Sequence, residues 1–97
     1  MTDEIGLGSL KCVSVWSPVR SLRGLVRTAL AGHVRIEDVH HLYSDVYLVY
    51  TDADPATIRD HIAPMLVGDE SVVVVEFERW SAAGPAADQP WLLRRGH

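Results

Sequence analysis

The stretch 39–51, Val-His-His-Leu-Tyr-Ser-Asp-Val-Tyr-Leu-Val-Tyr-Thr, constrains this chain more than any other. β-Branched and aromatic residues fill both arms, and Ser44-Asp45 lies between them as a turn. It reads as two strands, 39–43 and 46–51. Before it, 10–16 alternates as a strand, with Val13 and Val15 on one face and Leu10, Cys12 and Trp16 on the other. Ser17 is a suitable N-cap and Pro18 suits a first helical position, so a helix is predicted over 18–31. Val19, Leu22, Leu25, Val26, Ala29 and Leu30 form its apolar face, and Gly32 stops it. After the hairpin, Asp54-Pro55 repeats the helix start. Ile58, Ile62, Met65 and Leu66 mark the buried face, and Pro64 predicts a kink or early fraying. The segment 71–80 is a fourth strand, apolar on both faces through Val72-Val73-Val74-Val75.

The order is β-α-β-β-α-β. With right-handed crossovers this predicts an α+β, ferredoxin-like sandwich: a four-stranded antiparallel sheet with two helices on one face. The 97 residues suggest a single domain, with 9–80 as its core and 81–97 as a turn-rich tail. The other sheet face is left bare. Val72 and Val74, or Val73 and Val75, point to it, as do Tyr47 and Val49, or Leu48 and Tyr50. An apolar patch of that extent asks for a cover. A second subunit is the first expectation, and the Trp91-Leu92-Leu93 anchor of the tail is another. The expected interface residues are Tyr47, Val49, Val72, Val74, Trp91 and Leu92.

Composition narrows the class. An apolar fraction of 47% argues for a globular chain. No apolar run approaches the roughly 20 residues of a membrane span. The acidic start, residues 1–4, lacks the basic region of a secretory signal. Cys12 is the only cysteine, so no intramolecular disulfide forms, and a cytoplasmic setting is expected. The net charge of −4 is unevenly placed. Residues 5–36 hold five basic residues and no acid, leaving four basic residues and all thirteen acids to the rest. Such asymmetry suits a polyanion-binding face or self-complementary assembly.

Candidate chemistry is sparse. On a helix, Arg20, Arg23 and Arg27 share one stripe, and guanidinium groups in a row can hold phosphates. A solvated helix edge is the plainer reading, and the acidic total places nucleic acid second to protein as a partner. His40 and His41 are neighbours on a strand, so they face opposite sides and cannot readily share one metal. A metal would need His33 or His61 as well, and no ligand spacing supports that. Asp54 is explained by helix capping, and Asp52 brackets a turn. Glu76 and Glu78 share a strand face as solvated charges. Trp16 and Trp80 each close a strand. No glycine-rich phosphate loop, serine elbow or Cys/His pair with diagnostic spacing is found. No catalytic residue, metal or cofactor is assigned.

From His40 onward there is a family resemblance. The run 40–52, then Ile58-Arg59-Asp60, then Asp69-Glu70-Ser71 before a valine-rich strand, resembles the small ferredoxin-like proteins of the VapD and CRISPR-adaptation nuclease superfamily. The resemblance covers the second half of the chain and implies a homodimer. Some members cut or bind nucleic acid, and such nucleases usually place a metal-holding aspartate at the end of strand one. Here that stretch is Val15-Trp16-Ser17-Pro18, without an acid, so no catalytic residue is carried over.

The expectation is a small homodimeric, non-enzymatic interaction or regulatory module. One alternative is a nucleic-acid binder or degenerate nuclease. The other is a small-molecule enzyme of the dimeric α/β-barrel type, with a pocket lined by Tyr47, Tyr50 and Trp80.

Overall fold

Strand β1 (Ser9–Trp16) runs through the middle of the sheet and pairs antiparallel on both sides. The structure, a computed structural model, describes residues 8–96; the expected leader, apart from Gly8, and His97 lie outside the described residues. β2 (Val39–Tyr43) and β3 (Val46–Thr51) form the predicted hairpin, turning at Ser44 and Asp45 with Ser44 at φ 48°. With β4 (Ser71–Phe77) the order is β2-β3-β1-β4, every neighbour antiparallel. The fold is α+β: an open four-stranded sheet with three α-helices among the described residues, α1 (Leu25–Leu30), α2 (Pro55–Ile62) and α3 (Gln89–Gly96).

Alternation along the strands builds two separate cores. Val13, Val15, Val39, Tyr47 and Val49 face α1 and α2 and pack with Leu22, Val26, Leu30, Ile58 and Ile62. On the opposite face Leu10 and Leu48 are buried under Trp91 and Leu92 of α3. The tail therefore covers its own sheet.

Helix α2 starts as predicted. Asp54 Oδ1 accepts from Thr57 N at 2.8 Å, and Pro55 takes the first position. It gives way at Pro64 to a 3-10 turn, Ala63–Met65, because a proline cannot donate the next helical bond.

The first helix departs from expectation. It occupies only Leu25–Leu30, not 18–31. Ser17 Oγ accepts from the backbone N–H of Val19 and Arg20, as a cap would, but the chain continues as bends. Gly24 at φ 86° is left-handed and separates that loop from the helix. Its N–H donates to the Tyr47 hydroxyl at 3.2 Å. Leu22 still reaches the core, whereas Val19, assigned to the apolar face, is 84% exposed.

Two further boundaries move. β4 stops at Phe77 and not at residue 80. The tail holds a 3-10 turn, Pro85–Ala87, and α3, where only an apolar anchor was expected. Asp88 Oδ1 accepts from Trp91 N, and Pro90 lies in the first turn of α3. This is the same polar-then-proline start seen at Asp54-Pro55. None of the described helices is long and apolar enough to cross a membrane.

Candidate functional site

The register of β1 against β4 decides which side chains stand on the face away from α1 and α2. Cys12 is opposite Val75, Ser14 opposite Val73, and Trp16 opposite Ser71. Helix α3 covers this face over Leu10 and Leu48 and packs against Phe77 at the end of β4, but leaves Val73 and Val75 open. Trp16 is 56% exposed, Val73 59% and Val75 50%. These three form an open apolar strip along β1 and the edge strand β4. Cys12 is half-buried beneath it, and burial pushes its thiol pKa up, which keeps the sulfur in its weakly nucleophilic form.

The residues expected at an interface lie elsewhere. Tyr47 and Val49 are in the core under the helices, and Val72 and Val74 pack against that core at its margin. Trp91 and Leu92 are buried against their own sheet. The open valines are the other pair, Val73 and Val75. The reason is the pairing of Val13 with Val74 and Val15 with Val72, which sends both even-numbered valines toward the helices.

The arginine stripe does not form, because Arg20 and Arg23 precede α1. Arg20 is held by Glu70 through two bonds, Nε to Oε2 at 2.5 Å and Nη2 to Oε1 at 2.7 Å, and Nη2 also reaches Met65 O. Ser17 Oγ and Val67 N donate to the same carboxylate, each at 2.9 Å. The Arg20 guanidinium, helped by these two donors, lowers the Glu70 pKa from 4.5 to about 2. Glu70 thus ties the loop after β1 to the loop before β4. Arg23 is exposed, and Arg27 reaches Val39 O at 3.5 Å, the limit of a hydrogen bond.

Sequence reasoning missed Lys11. Its position on β1 shares the parity of Val13 and Val15, which was the available signal. It is 1% exposed, and Nζ donates to Ser9 Oγ and Thr51 O, both at 2.7 Å. Burial lowers its pKa, opposed by Glu76, Asp52 and Asp54. Ser9 Oγ donates in turn to Glu76 Oε2 at 3.0 Å. The cluster links the ends of β4, β1 and β3 and uses Lys11 as a tie.

The histidines separate as strand geometry requires. His40 Nε2 lies 3.0 Å from Ala86 O, with its ring beside Trp91. His41 Nε2 lies 2.6 Å from Ser44 O, with its ring beside Tyr47. His33 and His61 stack on each other at 3.9 Å. Among the described residues no three His, Cys, Asp or Glu side chains converge to hold a metal ion.

Among the described residues, the aromatic side chains named for a small-molecule enzyme divide between the two cores. Tyr47 belongs to the core under the helices, whereas Tyr50 and Trp80 pack with the core under α3. A cavity of about 260 Å³ under α3 is lined in part by Leu48, Phe77, Trp80 and Leu92. It offers apolar walls without a convergent set of ionisable groups. Comparison with protein-family models, with curated protein sequences and with solved structures finds no match for this chain.

Proposed function

We propose that this chain is a ferredoxin-like, homodimeric module of the cytoplasm that acts by binding a macromolecular partner and carries out no chemistry of its own. The supporting observation is the open strip Trp16, Val73 and Val75, which α3 leaves uncovered on its sheet face. Three large apolar side chains in one row invite a protein surface more than a soluble metabolite. The resemblance to VapD-like proteins points the same way, since it implies a dimer.

Light scattering on the full chain tests the reading. A mass near twice 10.7 kDa at micromolar concentration is expected. A monomer throughout would remove its basis. Salt-steep binding to RNA or DNA that Arg23→Ala and Arg27→Ala abolish would replace it with the polyanion-binding alternative.

A further inference from the structure

The two edges of the sheet are built differently. β2 is short, its register to β3 slips between His41 and Tyr43, and the Pro85–Ala87 turn lies beside it through the His40–Ala86 contact. Shortness, a bulge and a covering loop are the usual ways to keep an edge strand from pairing with another chain. β4 has none of them. It is seven residues long, and its register to β1 is unbroken from Leu10–Phe77 to Trp16–Ser71. Its middle, 72–75, is four valines with no charge, glycine or proline. On its outer side no strand pairs with it among the described residues. A long, regular, β-branched edge of this kind is a template for another strand.

The charges on β4 decide the direction in which a second copy can pair. Glu76, Glu78 and Arg79 all lie beyond the valines, whereas Ser71 precedes them and Glu70 is neutralised by Arg20. A second copy in parallel and in register would set Glu76 against Glu76, about 5 Å apart. A second copy in antiparallel carries each Glu76 away from its counterpart, toward the start of the other copy's β4. Residues opposite one another share a sheet face, so a two-fold axis must pass through a residue. An axis at Val74 sets Val73 opposite Val75 twice, joining the two exposed valines of each copy on the open face. It also separates the two Glu76 carboxylates by about 14 Å, beyond the Debye length of about 8 Å at physiological salt.

We propose that two copies of this chain pair antiparallel along β4, with the two-fold axis at Val74, to form one continuous eight-stranded sheet. This deepens the dimer reading above and rests on it. The Trp16, Val73 and Val75 strips of the two copies then adjoin across the axis, doubling the apolar band available to a partner.

The test uses the full chain. Val73→Lys with Val75→Lys places like charges opposite one another across the axis while altering only exposed side chains. It should keep the parent's circular-dichroism spectrum, and its self-association should weaken by about 100-fold or more, read by sedimentation velocity. In a Cys12→Ala background, Val74→Cys should cross-link to itself on mild oxidation. Opposed Cα atoms in an antiparallel pair lie about 4.5–5.5 Å apart, within disulfide reach. Val72→Cys, two residues off the axis, should not cross-link. A parent chain that stays monomeric overturns both this inference and the dimer reading. A dimer indifferent to the two lysines overturns edge pairing and leaves the dimer reading standing. Cross-linking at Val72→Cys without Val74→Cys overturns the register.

Discussion

The two faces of the sheet are closed by different means. Under α1 and α2 the closure is packing: Val26, Val49 and Ile62 are fully buried, and the Tyr47 hydroxyl inside that layer accepts from Gly24 N. Under α3 the closure is an anchor. Trp91 Nε1 donates to Glu37 O at 2.9 Å, and Arg95 donates to Asp38 Oδ1 at 2.8 Å and to Glu37 O. All of these grips fall on the 3-10 turn Ile36–Asp38, at the β2 side. None of them reaches the β4 margin, which is where the open strip begins. A face closed by two helices is sealed across its width, and a face closed by one helix gripped at one side is sealed only as far as that helix reaches.

The largest effects should separate these closures. Trp91→Ala should cost about 3–5 kcal/mol and Ile62→Ala about 2–5 kcal/mol, measured by urea unfolding. The distinction lies in what is lost. Ile62→Ala should weaken amide protection throughout β1, β3 and α2, read by hydrogen exchange. Trp91→Ala should open α3 and leave the protection of α1 and α2 largely in place. Equal loss of protection in both helix layers would show the two cores to be one cooperative unit.

Next comes the clamp at Glu70, which belongs to neither core but joins the loops beside β1 and β4. Its carboxyl pKa is about 2 in the fold against an ordinary 4.5. A depressed carboxyl pKa contributes stability that is complete above the unfolded value and lost as pH falls through the folded one. The parent chain should therefore lose stability between about pH 4.5 and pH 2 from this group. Glu70→Gln should lower the thermal midpoint at pH 7 and converge on the parent near pH 2. A parallel pair of stability curves across that range would mean that the clamp does not form in solution.

How much of this was legible depends on whether the deciding partner was near in sequence. The hairpin at 39–51 and the Asp54-Pro55 start were readable, because alternation and capping act over two to four residues. Ser17-Pro18 has the same local form, yet its helix begins eight residues later. Gly24 turned left-handed, and Ser17 and Arg20 were drawn to Glu70, some fifty positions away. The same distant carboxylate dissolved the arginine stripe. The open strip was readable only as one of two parities, and the choice was made by Leu22, Ile58 and Ile62 seating on the odd-numbered residues of β1. Helix α3 announced itself at Asp88-Gln89-Pro90, a signal masked by the small, turn-rich residues before it.

The smallest effect probes what holds α3 in place. Trp91→Phe keeps most of the buried apolar bulk and removes the Nε1 donor. A lost hydrogen bond of this kind costs about 1 kcal/mol, and more where it leaves a buried acceptor unpaired. Glu37 O does not become unpaired, because Arg95 Nη2 still donates to it at 2.9 Å. Arg95 also sits 4.5 Å over the ring, and a phenyl face retains part of that attraction. The cost should therefore stay near or below about 1 kcal/mol, well short of Trp91→Ala. If the two substitutions cost the same, the grip at Glu37 and not the apolar burial over Leu10 and Leu48 would be what closes this face. The contrast between a packed face and an anchored one would then be sharper than the geometry alone implies.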